Sequence, residues 1–315
     1  MASPAEIRRA AAILRAGGLV AFPTETVYGL GADASSGKAV ARLYAVKRRP
    51  ADHPVIVHFD SLERALAFVR DVPDAARRLA NNFWPGPLTL ILKGSERAQP
   101  FVTGGQPSVG IRVPAHPVAQ ALLKEFGGGV AAPSANRFGF VSPTSAAHVR
   151  ADLGADVDLV LEGGESEVGI ESTIVDLSGG EAVLLRPGAV TLEQLREIVA
   201  VKAKTEETIR HSGGLERHYA PRTPARLVPT HLLDREIAAL KDRVAVLAFS
   251  RPDERVDFWI RMPRDAAAYA RRLYAALREL DAAGCDAILI EAPPDAPEWA
   301  AVRDRVTRSC SAASS

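Results

Sequence analysis

Short apolar runs alternate with stretches of helical period over the first two-thirds of the chain. LVAF (19–22), VIVHF (55–59), LTLIL (88–92), VGIRV (109–113) and GVAA (129–132) have strand length, and amphipathic segments lie between several of them. The alternation predicts an α/β fold. LTLIL and VGIRV, however, are joined by a polar Gly/Pro/Gln segment without helical period, so a twisted mixed sheet is expected rather than a purely parallel, doubly wound one. DLVLEGG, ESTIVDL and AVLLRPG add strands up to about residue 187. At the N-terminus, Ser3, Pro4 and Glu6 predict a capped helix that Gly17 and Gly18 stop, and Thr191 with Gln194 predicts a second capping box.

The period is lost after residue 200. Residues 201–225 gather Gly, Pro and charge and read as a linker. Beyond it, RVAVLAF, a long Ala/Arg/Leu helix (264–283), DAILIEA and a final helix (296–309) form a small βαβα-like pattern. The expected organisation is a first domain over 1–200, the linker over 201–225 and a smaller α/β domain over 226–315.

Composition narrows the function. The chain has 315 residues with 39 basic and 38 acidic side chains, a net charge of +1, which gives no general surface for polyanions. Its two cysteines, Cys285 and Cys310, are too few for a disulfide framework or a zinc site. No apolar run approaches the roughly 20 residues of a membrane span. The N-terminal segment is not a secretory signal, so a soluble, cytoplasmic protein is expected.

Candidate chemistry concentrates in turns. GADASSGKA (31–39) imitates a phosphate-binding P-loop but has the wrong glycine spacing and Ala39 in place of the hydroxyl residue; Gly37 is better read as the start of the helix KAVARLYAVK. That helix runs into KRRPADHP (47–54), where cations meet prolines just before a buried strand. This is either a solvated helix end or an anion clamp. His58 on that strand reads as a core histidine or a ligand. Arg112 alternates against Val109, Ile111 and Val113, so it needs an anionic partner, either a buried carboxylate or a substrate. Trp84 reads as a core anchor. In APSAN (132–136) and VSPTSAAHV (141–149), small hydroxyl residues either present donors to anions or cap a helix through Ser142 or Thr144. Glu171, Ser172 and Thr173 head a strand, and Arg186 sits beside a turn in LLRPG. There is no nucleophile elbow, no HExxH and no GxGxxG opening a helix. Arginines, a lysine and hydroxyls suit charge neutralisation on phosphates rather than covalent catalysis.

In this order, FPTETVYGLGADA, KRRPADHPVIVHF, FWPGPLTLIL, VGIRVPAHPVA, APSAN with SPT, GIESTIVDL and LLRPG closely resemble the YrdC/Sua5 family over about residues 10–190. RHYAP (217–221) and the α/β tail resemble the longer Sua5 type. The resemblance implies a YrdC-like twisted mixed parallel/antiparallel sheet with a smaller Rossmann-like C-terminal domain. It further implies a nucleotidyltransferase, threonylcarbamoyl-AMP synthase, acting on L-threonine, bicarbonate and ATP and releasing pyrophosphate. Mg²⁺ would arrive with ATP. The product would pass to a tRNA threonylcarbamoyl transferase complex for t6A at position 37, without stable nucleic-acid binding by this chain. By the same resemblance Lys47 and Arg49 would be catalytic, contacting ATP together with Thr103, Ser134, Ser142, Arg186 and Tyr219. Thr24, His58, Arg112, Ala132 and Ser172 would form the threonine pocket, with Arg112 on the carboxylate. Tyr219 would make the linker a lid, although SGGLERHYAP (212–221) departs from the usual family linker in lacking a leading proline and a methionine. Arg48 receives no role. Two other readings remain: an RNA-binding module of YrdC fold without adenylation activity, and a carbamoyl-transferring relative like those in hydrogenase maturation, which would carry Cys-x-x-Cys pairs not found here.

Overall fold

The computed structural model describes residues 1–203, 209–214, 218–240 and 243–310. They fall into two compact units: the first comprises 1–138, 143–167 and 171–214, the second 139–142, 168–170 and 215–310 of the described chain.

The first unit begins with α1 (Pro4–Arg15), held by the expected reciprocal capping box of Ser3 and Glu6. There follow β1 (Val20–Phe22), β2 (Gly29–Asp33), α2 (Gly37–Lys47), β3 (Val57–His58), α3 (Leu62–Leu66), α4 (Asp74–Phe83) and β4 (Leu88–Lys93). Next come α5 (Pro100–Thr103), β5 (Ser108–Arg112), α6 (Pro117–Phe126), β6 (Val130–Ala131), α7 (Ala146–Leu153) and β7 (Leu159–Val160). The unit closes with β8 (Thr173–Asp176), β9 (Ala182–Arg186), α8 (Leu192–Ile198) and β10 (Val201–Ala203).

Among the described residues these strands form one sheet of order β10-β9-β8-β4-β5-β3-β6-β2-β1-β7. The sheet is mixed. β4 pairs antiparallel with β5 across the connection that lacked helical period, which contains only the four-residue α5, whereas β3–β5, β4–β8 and β1–β7 are parallel. Three elements differ from the sequence reading. β2 (Gly29–Asp33) takes in the first residues of the false P-loop GADASSGKA and was not among the expected strands. The cap of α7 is Ser145, not Ser142 or Thr144. Val201–Ala203, placed in the linker, is an edge strand parallel to β9; it is three residues long with Lys202 and Ala203 exposed, which leaves no apolar run to mark it. The linker positions 204–208 and 215–217 lie outside the described residues.

Alternation along the strands decides where a site can form. Val57, Leu88, Leu90, Leu92, Val109 and Ile111 point into the main core with Leu43 of α2, Leu79 of α4 and Leu195 of α8. The opposite sheet face is covered at one end by α1 and α6, where Ile7, Leu14, Leu122 and Leu123 bury Val20, Phe22 and Val130. Further along that face, Ile91, Ile174 and Leu185 cluster with Ile209. His58, Thr89 and Arg112, one step out of phase with the core residues, fall on this second face.

The second unit is built on β11 (Ala225–Val228), α9 (Leu233–Ala239), β12 (Val244–Ala248), β13 (Phe258–Arg261), α10 (Ala266–Ala282), β14 (Ala287–Glu291) and α11 (Ala300–Cys310). Its strands make a wholly parallel sheet of order β11-β14-β12-β13 among the described residues. Residues 225–228, counted partly with the linker, are thus its edge strand. β12 and β14, buried along most of their length, are the apolar runs legible in the sequence; β13, α9 and β11 are half-exposed and lacked that signal.

Candidate active site

Phe22 ends β1, and the turn that follows is built by its own hydroxyls. Thr24 Oγ1 donates to Val27 O (2.6 Å), accepts the N–H groups of Thr26 and Val27 (both 3.2 Å) and meets Thr26 Oγ1 at 2.8 Å. The side chain of Thr24 is therefore spent on turn geometry. Tyr28 anchors the far end of the turn by donating to Gly164 O (2.8 Å).

The turn presents Glu25 and Thr26 to Arg112. Arg112 Nη2 donates to Glu25 Oε1 (2.5 Å), Nη1 to Thr26 Oγ1 (2.9 Å) and Nε to Gly86 O (3.1 Å). The second oxygen of Glu25 accepts the Ala115 N–H at 3.0 Å. Both partners are buried, at 4% and 6% exposure, so the anion that the sequence demanded for Arg112 is Glu25 in this state. Three of the five guanidinium N–H groups are engaged among the described residues. The others remain for a second acceptor.

His58 pairs in register with Arg112 across β3 and β5. It is buried, its Nδ1 has no hydrogen-bond partner among the described residues, and its ring meets Phe22 edge-on at 6.3 Å. Burial, reinforced by the Arg112 charge, lowers its pKa to about 3, so the imidazole is neutral at physiological pH. Ala132, one residue past β6, donates its N–H to Ile56 O (3.0 Å), which brings the APSAN turn beside β3.

Lys47 ends α2 and is 1% exposed. Its Nζ donates to the carbonyls of Ser134 and Asn136, tying α2 to that turn. Burial pushes its pKa well below the ordinary lysine value, and Arg49 adds to the shift. Arg48 adopts a left-handed conformation (φ 54°) as the C-cap of α2. That residue points out, while Lys47 and Arg49 on either side are buried. Arg49 donates to Pro54 O (2.7 Å), and its guanidinium lies 5.2 Å from the Phe138 ring centre. Thr103, the last residue of α5, is buried next to the same turn, with Val102 O accepting the Val55 N–H.

Ser172 leads into β8 and shares a 2.8 Å hydrogen bond with Thr89. Arg186 donates from Nε to Ser172 O (3.0 Å), from Nη2 to Ser172 Oγ (3.2 Å) and from Nη1 to Ser212 O (2.9 Å). Gly188 permits this packing, because a Cβ there would lie 2.4 Å from the Thr173 nitrogen. Ser212 also donates to Pro54 O (3.1 Å) and lies 3.5 Å from Arg49, so one residue of the strap 209–214 touches both Arg49 and Arg186.

All the expected site residues except Ser142 and Tyr219 thus belong to the first unit. In the second unit, Tyr219 (φ 61°) is buried, stacked at 5.8 Å on Tyr274 and lying 5.3 Å under the Arg305 guanidinium, and Ser142 is fully buried. Thr89 and Ser212 were not singled out in the sequence. Thr89 had a signal, a lone hydroxyl inside an apolar strand. Ser212 had none.

Comparison with known proteins follows the same lines. The model for the Sua5, YciO and YrdC proteins, described as telomere recombination, matches residues 12–188, and one described as the threonylcarbamoyl-AMP synthase C-terminal domain matches residues 190–311. The chain belongs to the Sua5/YciO/YrdC family. It is 39% identical to the threonylcarbamoyl-AMP synthase of Pyrococcus abyssi over 96% of this chain and 94% of that one. It is 38% identical to the Bacillus subtilis protein of the same name, over 96% and 92%. The structure of P. abyssi Sua5 complexed with L-threonine superposes with a TM-score of 0.92 at 37% identity, covering 98% of this chain and 95% of the other. No described helix is long and apolar enough to cross a membrane.

Proposed function

We propose that this protein is a threonylcarbamoyl-AMP synthase: it joins L-threonine, bicarbonate and ATP into L-threonylcarbamoyladenylate with release of pyrophosphate. One observation carries the reading. A single sheet face of the first unit gathers Arg112 beside a neutral His58, and the end of α2, the turn after it and the end of β9 supply Lys47, Arg49 and Arg186, all buried. Such a face has one cationic anchor suited to an amino-acid carboxylate and three suited to a triphosphate.

In this mechanism the amine of threonine takes up CO₂ to give N-carboxythreonine. Its new carboxylate attacks the α-phosphorus of ATP, and the bond from that phosphorus to the bridging oxygen breaks as pyrophosphate leaves. Attacker and triphosphate are both anionic, so the site must neutralise charge and hold them in line. Arg112 holds the α-carboxylate; His58, Ser172, Ala132 and the Thr24 turn bound the rest of the amino acid. Lys47, Arg49 and Arg186 meet the phosphates, with Ser134 and Thr103 as polar contacts. A phosphate arriving at Lys47 favours its charged form and offsets the desolvation that lowers its pKa. Mg²⁺ enters as the MgATP substrate. The mixed anhydride product is consumed by a transferase that modifies tRNA, so this chain need not hold tRNA itself.

Lys47→Ala and Arg112→Ala separate the two halves of the site. The first should mainly impair use of ATP and the second use of threonine. Variants that lose stability alone, with unchanged activity per folded molecule, would refute the residue map.

A further inference from the structure

We propose that Glu25 is a specificity-determining residue of the amino-acid pocket: by cancelling the charge of Arg112, it makes the pocket select a net-neutral amino acid over a carboxylate that lacks the amine. The inference rests on the reading of Arg112 as the carboxylate anchor and goes beyond it.

Glu25 and Arg112 meet at 2.5 Å, both buried. Glu25 is fixed independently by the Ala115 N–H at 3.0 Å, so it does not need to leave when a ligand arrives. Arg112 likewise keeps neutral partners in Thr26 Oγ1 and Gly86 O. The neighbouring His58 adds no charge at neutral pH. The charges in direct contact at the carboxylate anchor therefore sum to zero, one guanidinium and one carboxylate with a neutral imidazole beside them, while Arg186 reaches only the far side of the pocket through Ser172.

A zwitterion docked on the remaining Arg112 N–H groups leaves that sum at zero. A monoanion of the same shape leaves an uncompensated negative charge in a desolvated place, which is costly. Without Glu25, Arg112 alone would favour the monoanion. A purely structural role for Glu25 predicts no such reversal.

The test uses the full chain and two ligands, L-threonine and 2,3-dihydroxybutanoate, in which a hydroxyl replaces the amine, titrated calorimetrically at neutral pH. Wild type should prefer threonine. Glu25→Gln should move the affinity ratio towards the anion by about tenfold or more, while Glu25→Asp should retain the wild-type preference. Nucleotide binding measured on the same samples reports folding. Thr26→Val, which removes a neutral contact to Arg112, covers the case in which Glu25→Gln does not fold: it should weaken both ligands together and leave the ratio unchanged. An unchanged ratio in Glu25→Gln, or an equal shift in Glu25→Asp or Thr26→Val, overturns the proposal. Arg112→Ala distinguishes the two levels of the argument: undiminished threonine affinity there overturns the carboxylate assignment itself.

Discussion

Arg112 shows what a single residue can and cannot disclose. Its place in an apolar strand announces that an anion must meet it, but not that Glu25, 87 positions away, supplies one. Contacts of that span come from topology, and a lone carboxylate in a turn looks like any other. Removing one partner of a buried pair strands the other, so Arg112→Ala should cost about 3–5 kcal/mol of stability by thermal unfolding. In the protein that remains folded, the KM for threonine should rise about thirtyfold or more, with the KM for ATP nearly unchanged. Lys47→Ala should instead lower kcat/KM for ATP by about 10²–10³.

His58 allows a prediction in pH. Its folded pKa is lowered to about 3 from the usual value near 6.5, so between those values the unfolded chain binds the extra proton. Stability from burying the neutral ring is complete above about pH 6.5 and is lost as pH falls towards 3, on the order of a few kcal/mol. Urea midpoints followed from pH 7 to pH 4 should drop more steeply in wild type than in His58→Gln. Parallel slopes would show that His58 is not buried neutral.

At the scale of elements, buried strands and capped helices were legible because pattern and packing agree. β1, β4, β5 and β8 are the apolar runs expected, and both capping boxes form. β2 was hidden because Gly29 and Gly31 depress strand propensity. Gly31 is nevertheless demanded by packing: a Cβ there would lie 2.9 Å from both Phe22 and Val130. Gly188 makes the same point at the site. Gly188→Ala should drive a methyl into the backbone at Thr173 and loosen the Arg186–Ser172 contacts. The expected cost is about 1–3 kcal/mol, read as a lowered Tm together with weakened ATP use.

For the whole molecule, the order of motifs carried more than any one of them. KRRP alone could be a solvated helix end, and His58 alone a core histidine. The sheet face that unites them with Arg112, Thr89 and Ser172 appears only when parallel and antiparallel pairings are known. The second unit was half legible, since its buried strands β12 and β14 were plain while the edge strands β11 and β13 were not. The family motif makes Tyr219 an expected nucleotide contact, and its ring packs within its own unit against Tyr274 and Arg305. Near-zero net charge belongs to this scale too. Duplex RNA should be held weakly at physiological salt, with no response to threonine plus ATP.

The most direct test of the account is incubation of the purified full chain with MgATP, L-threonine and bicarbonate, without tRNA, following pyrophosphate and L-threonylcarbamoyladenylate together. Both products should form in equal amounts and fall to background when either threonine or bicarbonate is omitted. Pyrophosphate release indifferent to either omission would contradict the proposed synthase.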